Sequence, residues 1–154
     1  MAGVGASIRL TSSSFSDGGS IPSRYTCSGA DVSPALRWSA VPDGTQSLAL
    51  TVIDPDAPGK AFVHWVVFNL PAATTDLSEG AAPPEGSVQG RNDFGSNGYR
   101  GPCPPPGSTH HYHFKLYALD TTLSLRTGAS DPALQDAMKD HVLATGEMIG
   151  TFRR

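Results

Sequence analysis

The sequence predicts a single β-rich domain with long, shaped loops, and three observations carry that expectation. A length of 154 residues suffices for one sizeable buried core. Charge is sparse, at 16% Asp, Glu, Lys and Arg, whereas 17 Gly and 13 Pro make the chain rich in turns, a balance that suits strands and loops better than a helical bundle. The clearest periodicity is two residues, over segments of strand length. Apolar residues are too frequent and too evenly placed for disorder, and no internal repeat divides the chain, so residues 1–154 form one domain.

Ile8 to Ser12 alternates briefly and is a first strand. Phe15 to Ser23 is a Gly, Ser and Pro turn region, and a further loop from Gly29 to Pro34 precedes a short strand, Leu36 to Ser39. Pro42-Asp43-Gly44-Thr45 is a turn. Ser47 to Ile53 is a strand with Leu48, Leu50 and Val52 on one face, and Asp54 continues that parity, so it sits on the core face where the core opens. Asp54-Pro55-Asp56-Ala57-Pro58 and a Gly59-Lys60 turn follow. Phe62 to Leu70 is apolar on both parities, as a strand covered on both faces is. His64 shares a parity there with Phe62, Val66 and Phe68.

Pro71 to Pro106 shows no periodicity, yet Phe94, Tyr99 and spaced glycines mark an ordered loop rather than a linker. His110 to Leu119 resumes strand, with His110, Tyr112, Phe114 and Leu116 facing inward and His111 and His113 facing solvent. Asp131 as N-cap and Pro132 at the first helical position start a helix whose stripe is Leu134, Ala137, Met138 and Val142, stopped at Gly146. A short strand, Met148 to Phe152, ends the fold.

A net charge of -3 with Lys and Arg scattered singly excludes a general nucleic-acid binder. No apolar run is long enough to span a membrane, so no integral membrane contact is expected. The first seven residues lack a basic region followed by an apolar core, which makes a cytoplasmic location the expectation and, with it, free thiols at Cys27 and Cys103. Two His with one Asp is a non-haem iron ligand set, but the His-Xaa-Asp spacing is missing, and alternating faces split His110 to His113 as metal ligands. No cofactor, nucleophile elbow or phosphate-binding Gly-rich loop is present.

The candidate site is Asp54, Asp56, His64, His110 and Tyr112, beside the backbone of the Gly95 to Gly101 loop. Polar groups on inward faces at one end of a core make a shared pocket. Imidazoles, a phenol and loop amides are mostly donors, which suits a small oxyanion, with Asp54 orienting a histidine. Pro55, Pro58, Pro102 and Pro104 would stiffen the wall. An Asp54–histidine acid–base pair is the less favoured hydrolase reading, because no nucleophile is apparent.

These residues, with Ile21 to Cys27, Asp31 to Trp38, Asn92 to Gly95, Gly98 to Pro105 and His141 to Phe152, resemble the phosphatidylethanolamine-binding protein family, in its bacterial and archaeal Raf-kinase-inhibitor-like branch, over essentially the whole chain. The resemblance implies an antiparallel Greek-key β-sandwich with a C-terminal helix and a non-enzymatic pocket for small anions or phosphorylated head groups, phosphate or phosphoethanolamine among them. It places that pocket at Asp54, Asp56, His64, Gly101, Pro102, His110 and Tyr112, walled by Pro55, Pro58 and Pro104. The segment after Pro58 is short and the chain stops soon after Phe152, so only the pocket carries over well from the eukaryotic branch. A kinase or protease partner engaged through surface loops is the second reading. A homodimer is a further implication, with the region of Trp65 and Phe68 taken as exposed.

Overall fold

Alternation and two-sided apolarity sort the strands into two antiparallel sheets in the computed structural model, which describes residues 7–154. The strands are β1 (Arg9–Thr11), β2 (Leu36–Ser39), β3 (Ser47–Asp54), β4 (Phe62–Pro71), β5 (Asp76–Leu77), β6 (Val88–Gln89), β7 (Thr109–Leu119) and β8 (Val142–Arg153), with helix α1 (Asp131–Met138) between the last two. The small sheet has the order β1-β2-β5 and the large one β6-β4-β3-β7-β8. Residues 1–6, where a signal sequence was sought, lie outside the described residues.

The large sheet is covered on both faces, which is why β3 and β4 are apolar throughout. Leu48, Leu50 and Val52 of β3, with Phe114 and Leu116 of β7, pack between the sheets against Leu10, Leu36 and Trp38. On the opposite face Ala49, Val66, Phe68 and Leu119 pack under Leu134 and Met138 of α1. Trp65 and Phe68, expected to be exposed, are therefore buried, one on each side of the sheet. Burial of this kind leaves neither ring available to a dimer interface.

Phe68 lies three positions after Trp65, so alternation alone gives that split; β4 also carries two bulges. Val52 pairs with Trp65 but Ile53 with Val63, so His64 is an extra residue; a second irregularity lies between the Leu48 and Leu50 pairs, where β4 also has one residue too many. Asn69 has φ 56° there, and its side chain holds both backbone groups of Leu123. The first bulge resets the parity, so His64 does not share a face with Val66 and Phe68 as expected. It turns to the inter-sheet side, where its ring meets Tyr112 at 5.3 Å.

The C-terminal region differs from expectation in two places. Ser130, not Asp131, is the N-cap, accepting from Ala133 N–H at 3.2 Å. The helix stops at Met138, and Val142 and Gly146 belong to β8, paired with Leu119 and Leu116. Gly146 is a close-approach residue rather than a helix stop: a Cβ there would lie 2.4 Å from the Ile8 carbonyl oxygen. The outer edge of β8 is covered by the N-terminal segment, through Ile8 N–H to Thr145 O and paired bonds between Gly19 or Ile21 and Thr151.

Cys27 and Cys103 form a disulfide with Cα atoms 5.4 Å apart, against the expectation of free thiols. Spacing in sequence hid the pairing. The 3-10 turn Ser23–Tyr25 and the loop after Tyr99 lie side by side, with Cys27 N–H donating to Pro102 O. The expectation rested on a cytoplasmic location, and the pairing removes that support.

Candidate functional site

Asp54 ends β3 on the parity of Leu48, Leu50 and Val52, and so emerges at the end of the inter-sheet core, 3% exposed. A buried carboxylate requires donors. Its Oδ1 accepts the Asp56 N–H at 2.8 Å, forming a tight Asx turn, and its Oδ2 accepts from His110 Nδ1 at 2.6 Å. His110 and Tyr112 enter from β7 on its inward parity, as expected.

His64 arrives through the bulge. Its Nδ1 lies 2.7 Å from the Arg100 carbonyl oxygen, which only accepts, so Nδ1 carries the hydrogen and Nε2 is the ring's other nitrogen. Burial pushes the His64 pKa below its ordinary 6.5, against the pull of the Arg100 carbonyl and of the Asp54 and Asp31 carboxylates. The Tyr112 hydroxyl is buried without a hydrogen-bond partner among the described residues. Burial, with the negative charges of Asp54 and Asp56, pushes its pKa up, so it remains a protonated donor.

Asp54, His64, His110 and Tyr112 line one cavity of about 230 Å³, whose walls are Ala57, Pro58, Phe62, Phe94, Cys103, Pro104 and Pro105. A larger concavity of about 530 Å³ runs between Thr11–Ser13, Ala35–Arg37 and Asp76–Ser78. Its only charged residues, Arg37 and Asp76, are exposed cross-strand neighbours. The smaller cavity is where titratable groups converge, and it is the candidate site. Among the described residues no cluster of three or more His, Cys, Asp or Glu side chains is placed to hold a metal ion. No described helix is long and apolar enough to cross a membrane.

Four residues expected at the site stand outside the lining. Asp56 turns away, its Oδ2 accepting from the His111 N–H at 2.8 Å and from His111 Nδ1 at 2.7 Å, and Pro55 is exposed beside it. Hydrogen bonding to His111 holds the Asp56 carboxyl below its usual range. The Gly101 N–H, expected to meet a ligand, donates to Asp31 Oδ1 at 2.8 Å, and Pro102 is buried behind it. Gly101 is glycine because a Cβ there would stand 2.0 Å from the Tyr25 carbonyl oxygen. Pro58 and Pro104 do line the cavity. Ala57, Phe62, Phe94, Cys103 and Pro105 were not anticipated; the aromatic residue in the Gly-rich loop, Phe94, was the available signal.

The arrangement offers one hydroxyl donor, two imidazoles whose Nδ1 atoms are engaged, and a carboxylate each of whose oxygens already accepts one hydrogen bond. Comparison with known proteins identifies the family. Residues 11–153 match the phosphatidylethanolamine-binding protein family. A UPF0098 protein of Methanothermobacter thermautotrophicus is 52% identical, over 96% of this chain and 99% of that one. A UPF0098 protein of Aquifex aeolicus is 45% identical, over 97% and 91%. Two crystal structures superpose with a TM-score of 0.91 over 97% of this chain and 99% of theirs. They are a phosphatidylethanolamine-binding protein homologue from Chlamydia trachomatis at 42% identity and Escherichia coli YbcL, described as a member of the mammalian family, at 38%. By sequence over nearly its whole length and by fold, the chain belongs to the phosphatidylethanolamine-binding protein family.

Proposed function

We propose that the cavity captures a small oxyanion, either free phosphate or the phosphate of a phosphorylated head group, and holds it without turning it over. The observation that carries this reading is the Tyr112 hydroxyl, buried without a partner in the cavity that His64 and His110 also line. A buried unpaired donor costs stability unless a ligand satisfies it. Binding rather than hydrolysis is favoured because the lining offers no aliphatic hydroxyl or free thiol, the Cys103 sulfur being tied to Cys27.

The two imidazoles act as donors only when protonated, since each Nδ1–H is already engaged. An incoming oxyanion supplies the reason to protonate Nε2 of His64, against the burial that lowers its pKa. Capture is therefore coupled to proton uptake. Phosphate or phosphoethanolamine is expected to raise the melting temperature by mass action in the wild type and not in the His64→Ala/His110→Ala double variant. Equal shifts in the two proteins would remove the pocket assignment.

A further inference from the structure

The two sulfurs of the Cys27–Cys103 bridge have different surroundings. Cys27 begins a run of exposed residues that continues to Ala30. Cys103 is half-buried between Pro102 and Pro104, both buried, and forms part of the cavity wall. A cation stands on the Cys103 side. Arg154 Nη1 lies 3.3 Å from Cys103 Sγ and donates to the Pro104 carbonyl at 3.3 Å. The Gly107 N–H, donating to the Arg154 main-chain oxygen at 2.8 Å, ties Arg154 to the same loop.

Thiol–disulfide exchange responds to both differences. An incoming thiolate attacks a sulfur it can reach, and the sulfur that departs is the one better stabilised as a thiolate. A guanidinium lowers the pKa of a neighbouring thiol, so Cys103 is the better leaving group and Cys27 the accessible centre. The bridge can open without parting the two segments, because three hydrogen bonds also join them. The Tyr99 hydroxyl donates to the Tyr25 carbonyl at 2.7 Å, the Cys27 N–H to the Pro102 carbonyl at 3.1 Å, and the Gly101 N–H to Asp31 Oδ1 at 2.8 Å.

We propose that Cys27 Sγ is a thiol–disulfide exchange site open to a dithiol reductant in the folded protein, with Cys103 as the departing thiolate. The reductant's thiolate bonds to Cys27 Sγ while the Cys27–Cys103 bond breaks, and its electron pair leaves on Cys103 beside Arg154. The reductant's second thiolate then attacks the reductant sulfur of the mixed disulfide, releasing Cys27 and the oxidised, cyclised reductant. Two electrons pass to the bridge, and the two protons of the dithiol pass to solvent or to the two cysteines. Resting on the oxyanion reading above, the product sets a thiolate in the wall of an anion cavity, so reduction lowers oxyanion affinity.

Treating the native oxidised protein with excess glutathione, quenching in acid and mapping the peptides shows which sulfur is attacked. The mixed disulfide is expected on Cys27, with Cys103 free, by about tenfold over the reverse. Arg154→Gln, at an exposed position, should melt like the wild type when oxidised, slow reduction by dithiothreitol about threefold and lower that selectivity, and Arg154→Lys should restore both. A bridge that is reduced only after unfolding in urea, glutathione found on Cys103, or a rate and selectivity unchanged by Arg154→Gln overturns the proposal. Phosphate titration of the two redox forms tests the coupling. Affinity is expected to fall about fivefold on reduction, and saturating phosphate should shift the dithiothreitol equilibrium toward the bridge by the same factor. Equal phosphate affinity in the two forms overturns the coupling. If phosphate binds neither form, the oxyanion reading falls and the coupling with it, while the peptide map alone decides the exchange site.

Discussion

His110 Nδ1 lies 2.6 Å from Asp54 Oδ2, in a pair with only 9% and 4% of its side-chain surfaces exposed. The two residues come from strands that lie side by side in the large sheet, with Ile53 of β3 opposite His113 of β7. Their contact therefore ties the end of one strand to the start of the next as well as orienting the imidazole.

Asp54→Asn is expected to weaken both stability and anion binding. The substitution removes a charge-assisted hydrogen bond in a sealed site and leaves one amide hydrogen facing a donor, so a loss of roughly 1.5–3 kcal/mol is expected. Urea unfolding reads this as a lower midpoint at unchanged slope. An unchanged midpoint would mean that the pair contributes nothing to the fold.

The pH dependence follows from His64. Its pKa in the folded chain is depressed by burial below the ordinary 6.5. The unfolded chain therefore binds more protons below that pH, so the stability associated with neutral His64 is present above about pH 6.5 and is lost as pH falls toward the folded value. A bound anion reverses the preference by favouring the imidazolium. Sulfate, which keeps its charge throughout, should bind more tightly as pH falls from about 8 to about 5.5, by up to about tenfold per pH unit while one proton is taken up. His110 and Asp54 face the same cavity, so the His64→Gln variant is the control, and its sulfate profile should be flatter. A profile that is flat in the wild type, with chloride matching ionic strength, contradicts proton-coupled capture.

The Cys27–Cys103 bridge closes a loop of 76 residues in sequence separation. Constraining an unfolded loop of that length contributes roughly 4 kcal/mol in the chain-entropy treatment. The same bridge anchors a cavity wall in which Pro104 and Pro105 have no N–H to donate. Reduction, or the Cys27→Ala/Cys103→Ala variant, is expected to lower the unfolding free energy by about that amount and to weaken phosphate binding, because Cys103 and Pro104 line the cavity. Calorimetric melting and titration on the oxidised and reduced protein measure both effects. Equal melting temperatures would show that the bridge is dispensable.

How far the sequence foretold the site depends on which contacts one strand's pattern can report. Two-residue alternation located β3 and β7, and parity alone selected Asp54, His110 and Tyr112 while sending His111 and His113 outward. His64 was included for the wrong reason, because a bulge is a property of the register between β3 and β4 and leaves no trace in the period of β4 itself. The disulfide and Phe94 depend on loops that meet only after folding. Val142 fits a helical stripe and Gly146 a helix stop by spacing, but pairing with β7 over eleven positions decides their conformation. The loop amide expected at Gly101 was lost to Asp31, a partner seventy residues away in the chain.

Tyr112→Phe separates the two roles that a buried hydroxyl can have. If the hydroxyl served the fold, its removal would strand a partner and destabilise the protein. It has no partner among the described residues and the ring is fully buried against Phe114 and its neighbours. Deleting the oxygen therefore removes an unsatisfied donor, and the ligand-free variant is expected to be as stable as the wild type or more so, by up to about 1–3 kcal/mol. Phosphate binding should meanwhile weaken by about tenfold, the worth of one direct hydrogen bond to a charged acceptor. Stability and affinity moving in opposite directions is the signature of a group kept for its ligand. Unfolding and titration on the one variant measure both, and a Tyr112→Phe protein that loses stability while binding phosphate normally would reassign the hydroxyl to the fold.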